Sequence, residues 1–477
     1  MTPGARLQAS IDLLSAIHAG ASPADRVSAA FFRERRYIGG GDRRAVIERV
    51  YAVLRRRAAL DWWIGRTMPM EDVQDRPGAD RRRIIAALVL LEGWSADRIA
   101  GSFDGGTYRP EQLTDIERAM AKSLEGNTLL SPDQPEWVRL EFPEWLGASL
   151  HRIFGERLEP EMQALLTEAP LDLRANTLKA GRDDAMAALA RDGVEAKPTE
   201  LSPLGLRVNG RPPLATLPSF KDGLVEVQDE GSQLAALLVD ARPGLRIVDF
   251  CAGAGGKTLA MAAAMENKGR IVACDVLQGR VDRAAVRLQR AGVHNVERRG
   301  LSSERDPWVK RHAGAYDRVL IDAPCTGVGT WRRNPDARWK LTPDFLKELL
   351  DLQQRIFESA ARLVKPGGRL VYATCSLLPE ENEAQIESFL AQHSDFAILP
   401  VTEVWRDAMA KQPDAAPCPA DGNYLRLTPA QQGTDGFFVA ILQRNAAAKP
   451  APKPGDASPE ANNAPPEATN APAGGDP

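Results

Sequence analysis

Ile247-Val-Asp-Phe-Cys-Ala-Gly-Ala-Gly-Gly-Lys-Thr258 reads as a strand, a glycine turn and the start of a helix. Two further blocks follow it. Arg318-Val-Leu-Ile-Asp322 runs into Ala-Pro-Cys325, and Arg369-Leu-Val-Tyr-Ala373 runs into Thr-Cys-Ser376. An apolar run that ends in a thiol places that thiol at the carboxyl edge of a sheet, where open α/β sheets bind and transform their ligands. Two thiols beside a nucleotide-type pocket point to covalent chemistry on a substrate, assisted by a nucleoside-bearing cofactor.

Outward from these blocks, strands and helices alternate. Strands are expected at residues 246–250, 271–275, 318–322, 369–374 and 436–442. Helices are expected at 257–266, 278–291, 343–364 and 379–392. This spacing calls for an α/β domain over 236–444, with a mostly parallel sheet and helices on both faces. Residues 1–128 have helical periodicity instead: Val46, Val50, Val53-Leu54 and Leu60 fall on one face. Residues 129–235 mix helical and extended runs punctuated by Pro and Gly. Residues 445–477 are rich in Ala, Pro and Asn and read as a disordered tail that cannot bury a core.

The glycine turn has two familiar decoys. A P-loop needs G-x-x-x-x-G-K-[ST], and the position of its first glycine is Cys251. The dinucleotide pattern G-x-G-x-x-G fails because its third glycine is Leu259. What remains is Gly253, Gly255 and Gly256 after a strand ending in Asp249, with an acidic residue, Asp275, ending the next strand. Such a turn lets a ligand approach the backbone, and Asp275 can accept both ribose hydroxyls.

Bulk properties narrow the partners. The chain has 477 residues, is 43% hydrophobic and carries a net charge of −3. Five cysteines at scattered spacings, with no C-x-x-C, argue against zinc and for reduced thiols in a cytoplasmic setting. No metal is expected. No apolar run approaches the roughly 20 residues of a membrane span, so a membrane partner is not expected. The charge is uneven: residues 1–60 hold 11 Arg against 5 Asp/Glu, a balance of +6. Arg43 and Arg44 sit in that cluster, which suits phosphate recognition or a solvated helix face.

Three long blocks in order, Asp249 to Thr258, Asp322 to Asp336 and Tyr372 to Glu383, resemble the signatures of the S-adenosylmethionine-dependent RNA 5-methylcytosine methyltransferases. Leu173-Arg-Ala-Asn-Thr177 and Val225-Glu-Val-Gln-Asp-Glu-Gly-Ser-Gln233 are similar to the region before that family's catalytic domain. Gly41-Asp-Arg-Arg44 and Val53-Leu-Arg55 through Leu60-Asp-Trp62 look like the NusB-like RNA-binding domain of its bacterial ribosomal-RNA branch, RsmB. The resemblance implies a Rossmann-like class I methyltransferase fold with a seven-stranded sheet, an all-α NusB-like domain and a small α+β segment. It implies S-adenosylmethionine lined by Cys251, Ala252, Gly253, Ala254, Gly255, Gly256 and Lys257, with Asp275 on the ribose and Asp322 in the active site. Cys375 is implied as nucleophile. The substrate implied is RNA, foremost 16S ribosomal RNA, handled by a monomer and not DNA. One position departs from the family: Leu301 stands where an Asp is expected against adenine, which leaves Ser302 or backbone to hold that base, or lowers cofactor affinity.

The chemistry asks for these residue types. Cytosine carbon 5 is a poor nucleophile. A thiolate added at carbon 6 makes it enamine-like, which divides one hard step into easier ones. A carboxyl group at Asp322 can share a proton with ring nitrogen 3. Cys325 is placed to assist release of the product. Trp331-Arg332-Arg333, Arg338 and Trp339 follow closely, and arginine interleaved with aromatics suits phosphate contact and base stacking, with a structural lid as the alternative. Two other readings stay open: a transfer-RNA methyltransferase, and a noncatalytic RNA-binding ribosome-assembly factor on the same fold.

Overall fold

A computed structural model describes residues 1–67, 78–410 and 415–446. The expected disordered tail lies, from residue 447 onward, outside the described residues. The first helices are Pro3–Ala19, Ala24–Glu34, Gly40–Arg55, Arg57–Thr67, Ala79–Leu90, Ala96–Ser102 and Asp115–Leu124. Val46, Val50, Val53 and Leu54 line the inner face of Gly40–Arg55 at 0–1% exposure, packing with Leu7, Leu14 and Ile84. Side-chain oxygens start several of these helices by capping: Thr2, Ser95 and Thr114, the last in a reciprocal box with Glu117.

Strands β1 (Leu171–Ala175), β2 (Ala196–Pro198), β3 (Gly205–Val208) and β4 (Val225–Val227) form a small antiparallel sheet in the order β2-β3-β1-β4. The larger sheet holds β5 (Arg246–Asp249), β6 (Arg270–Asp275), β7 (Val296–Gly300), β8 (Tyr316–Asp322) and β9 (Val364–Thr374). It continues with β10 (Phe396–Leu399), β11 (Tyr424–Leu427) and β12 (Phe437–Arg444). Its order is β10-β12-β9-β8-β5-β6-β7. Strands β5 to β9 run parallel, and β12 is antiparallel to β9. Residues 319–321 and 370–373 of the central strands are fully buried, as a sheet covered on both faces requires. The strand order reverses between β5 and β8, which opens a crevice at their carboxyl ends.

The sheet has eight strands rather than the expected seven. The outer edge of β12 is shared end to end: β11 pairs with 437–440 and β10 with 441–444. The helix expected from 379 begins only at Glu383. Asn382, just before it, is held instead by Thr374 and by the carbonyl of Ser376, at 2.6 and 3.1 Å.

Residues 331–341 correct another expectation. Trp331 is fully buried, Arg338 is 1% exposed and donates to the Glu141 carbonyl at 2.8 Å, and Trp339 donates its ring N–H to the Leu54 carbonyl at 3.1 Å. Glu141 in turn accepts from the N–H groups of Ala58 and Ala59 at the start of helix Arg57–Thr67, at 2.8 and 3.1 Å. Burial pushes its carboxyl up to about 8. The segment that looked like a stacking surface is a strut between the helical domain and the large sheet.

Candidate active site

Because β8 and β9 are parallel neighbours with Asp322 opposite Ala373, their following residues leave the sheet side by side. Cys325 and Cys375 thereby meet, Sγ to Sγ at 3.4 Å, both partly buried and unoxidised. The Cys325 thiol is pushed well up by its hydrogen bond to Cys375 and by burial. Asp322 lies at the same edge, its carboxylate 2.7 Å from the Lys257 ammonium. Burial works against that ammonium, but the Asp322 charge and hydrogen bond outweigh it, and Lys257 is held above its ordinary pKa. A negative charge on Cys375 would add to that support.

The glycine turn joins β5 to helix Gly256–Ala264. Gly255 caps the helix at φ +81°, and a Cβ there would come within 3.3 Å of Ala284. Gly253, at φ +57°, faces open space. Asp275 ends β6 at 4% exposure and accepts from the Gly253 and Leu277 N–H groups at 3.0 and 2.8 Å. Asp249 is fully buried. One of its oxygens accepts from Thr258 at 2.6 Å, the other has no partner, and burial pushes the carboxyl up to about 7. Cys251, Ala252, Ala254 and Gly256 complete the turn, with the Cys251 thiol pushed well up by burial. An open glycine cradle, a buried acid at the next strand end and a lysine beside the thiols fit a nucleoside cofactor with a charged tail. Val276 and Leu277, just after Asp275, are 54% and 51% exposed. They offer an apolar platform for a base, a role sequence reasoning did not assign. Leu301 packs into the core with Trp308, and Ser302 spends its N–H and hydroxyl on Asp306.

Two networks also went unread. Arg174 of β1 donates to the Gly256 carbonyl at 3.0 Å, and Arg287 donates to that of Ala254 at 3.0 Å while pairing with Glu226 of β4. The small sheet therefore braces the glycine turn. Glu381, fully buried, accepts from the Thr326 N–H and hydroxyl at 2.8 and 2.5 Å and from Gln353 at 3.0 Å. Thr326 also meets Ser376 at 3.2 Å, so the residues following both cysteines are tied together. Burial raises the Glu381 carboxyl despite these bonds. Its signal was present in Pro-Glu-Glu-Asn-Glu383, but a buried acid looks like a helix start in sequence.

The arginines divide. Arg332 is 3% exposed, with its guanidinium on Asp435 at 2.5 Å and the Gly433 carbonyl at 3.0 Å. Arg333 pairs with Asp435 and, at 3.0 Å, with Asp229. Arg332 is buried and bound internally, so the RNA contact expected of it is corrected to a clamp just before β12, and the partly exposed Arg333 joins the same clamp. Arg43 donates to the Ile38 carbonyl at 2.7 Å, whereas Arg44 is exposed. Both lie on helix Gly40–Arg55.

The family described as 16S rRNA methyltransferase RsmB/F matches residues 236–443, and an RsmF/B-like ferredoxin-like domain matches 142–215. A probable ribosomal RNA small subunit methyltransferase B of Synechocystis sp. is 34% identical over 425 residues, covering 84% of this chain and 91% of that one. The ribosomal RNA small subunit methyltransferase B of Photorhabdus laumondii is 30% identical over 414 residues, with 84% and 91% covered. A methyltransferase homologue from Pyrococcus horikoshii, solved by crystallography, superimposes with a TM-score of 0.55 at 31% identity, covering 66% of this chain and all of that one.

Proposed function

Because this chain belongs to the 16S rRNA methyltransferase RsmB/F family, we propose that it methylates carbon 5 of a cytosine in small-subunit ribosomal RNA through a covalent cysteine adduct. The observation that carries this reading is the 3.4 Å approach of Cys325 and Cys375 beside Asp322 and the glycine cradle. S-adenosylmethionine supplies an electrophilic methyl sulfonium when bound. Gly253 would leave room for it, Asp275 would hold its ribose, and Val276 with Leu277 would lie against its base.

Cys375, as thiolate, adds to carbon 6, and the ring's electrons shift toward carbon 5. Lys257 fixes the Asp322 carboxylate so that it can share the proton taken up at nitrogen 3. After carbon 5 has gained its methyl group, its C–H bond breaks, those electrons re-form the ring double bond and expel Cys375, and the Cys325 sulfur takes up the proton while giving its own to the departing sulfur. Cys325, in contact with the departing sulfur, assists this last step. The cytosine has to leave any stack to reach the thiols, at a cost of a few kcal/mol that is lowest in loops.

The test is denaturing electrophoresis with target RNA. Cys375→Ala should transfer no methyl group and trap no RNA, while Cys325→Ala should accumulate a protein–RNA adduct. Turnover by Cys375→Ala would overturn the assignment, and trapping by that variant alone would exchange the two roles. A noncatalytic assembly factor would give neither methylation nor adduct.

A further inference from the structure

Beside the thiols lies a cleft of about 680 Å³ whose walls come from two domains. One wall is the turn after the first helix, with His18, Gly20 and Pro23. The other is the segment after Cys325, with Gly327, Asn334 and Phe345. Thr326 and Gly327, which follow Cys325 directly, line the cleft, and a Cβ on Gly327 would sit 3.9 Å from Cys375 Sγ, so the cleft adjoins the thiols. The walls are fixed to each other. The Ala24 N–H donates to Asp336 at 3.1 Å, and Lys340 donates to the Ser22 carbonyl at 2.9 Å while pairing with Asp336 at 3.0 Å.

The lining is not that of a phosphate site. Lys340 already binds those two partners, His18 holds Asp80 at 2.5 Å, and Asp25 and Asp336 are acidic. It has the features of a base site instead. Phe345 is 46% exposed on one side. The Asn334 amide has no side-chain partner among the described residues. Two buried wall atoms, His18 Nε2 and Asp336 Oδ1, also lack partners. Buried polar atoms are rarely left unpaired, and a group or ordered water in the cleft would satisfy them. The volume is that of a small-molecule site, about 300–1,000 Å³.

We propose that this cleft holds a nucleotide flanking the target cytosine. Its base would stack on Phe345 and present its polar edge to Asn334. The inference rests on the RNA methyltransferase reading above. The neighbours of an extruded base are covalently tied to it, so an opening that adjoins the thiols lies where they must pass. The first turn of the helical domain then belongs to the substrate site itself.

The experiment measures steady-state methylation of RNA oligonucleotides that differ only beside the target, using wild type, Asn334→Ala and Phe345→Ala. Base–aromatic stacking predicts a rise of roughly tenfold or more in the RNA KM of Phe345→Ala. The KM for S-adenosylmethionine and the melting temperature should stay put. Asn334→Ala should narrow the preference among flanking bases. RNA KM values within about twofold of wild type with unchanged flanking preference would overturn the proposal. So would a fall in kcat alone, which would mean support of the catalytic loop. If the wild type methylated no cytosine, the underlying reading would fail first; active wild type with unaffected variants would sink the cleft alone.

Discussion

Asp435→Ala separates a structural clamp from an RNA contact. Arg332 and Asp435 are 3% and 2% exposed, and their contact is 2.5 Å. Removing one partner of a buried pair costs about 3–5 kcal/mol, because the other charge is stranded. Arg332 would keep the Gly433 carbonyl at 3.0 Å and Asp229 at 3.8 Å, and Arg333 would keep Asp229 at 3.0 Å. The low end, about 3 kcal/mol, is therefore expected. Against a total of about 5–15 kcal/mol the variant should still fold. The assay is denaturant unfolding of Asp435→Ala, Arg332→Ala and the double variant. The double variant should lose less than the sum of the singles, since no charge is left unpaired. RNA affinity of Arg332→Ala should keep the wild-type salt slope, because no phosphate contact is removed. Singles that each lose under about 1 kcal/mol, with a flattened salt slope, would refute the clamp and restore the RNA role.

Two further outcomes follow from the cofactor cradle. Asp275→Ala should weaken S-adenosylmethionine binding roughly ten- to a hundredfold, since a charged hydrogen bond is worth about 1.5–3 kcal/mol; unchanged affinity by calorimetry would end that role. Asp249→Asn should raise stability at pH 8 and not below pH 4. The folded carboxyl is lifted from an ordinary 3.8 to about 7, so ionising it costs stability progressively as pH climbs through that window. The gap is worth about 4 kcal/mol at most. Denaturant midpoints of both proteins at the two pH values measure this, and a difference independent of pH would contradict it.

The parts of the site that were legible in the sequence are local. A run such as Arg318 to Asp322 carries its strand signal in its own residues, and the thiol position follows from where the run stops. The glycine turn is equally local, since its conformation is set by Gly253 and Gly255. What was not legible depends on partners far along the chain. Arg332 is neutralised by Asp435, 103 residues away, and Arg338 is spent on Glu141, 197 residues away. An arginine–tryptophan run looks the same whether it will stack on bases or fill a domain junction. Residues 379–382 read as helix because nothing nearby announces that Thr374 will capture Asn382. Val296 to Gly300 escaped notice as a strand because an edge position does not demand an apolar run: its residues are all half-buried or exposed.

The pair of thiols makes a physical demand that the surrounding charges meet. Two negative charges 3.4 Å apart would repel by about 5 kcal/mol even at an effective dielectric constant of about 20. The pair can therefore carry one charge, and the question is which sulfur bears it. The Cys325 thiol is raised by its bond to Cys375 and by burial, with the nearby Glu381 adding to the effect. Lys257 is the compensating cation, and charge on Cys375 strengthens its hold on its proton. The same ammonium binds Asp322, so one cation would serve both the sulfur proposed to attack and that carboxylate. The raised Cys325 thiol fits the part proposed for it, a neutral thiol beside the sulfur that attacks. When the adduct collapses, the neutral thiol can give its proton to the departing Cys375 sulfur and take up the proton from carbon 5, so the pair never carries two charges.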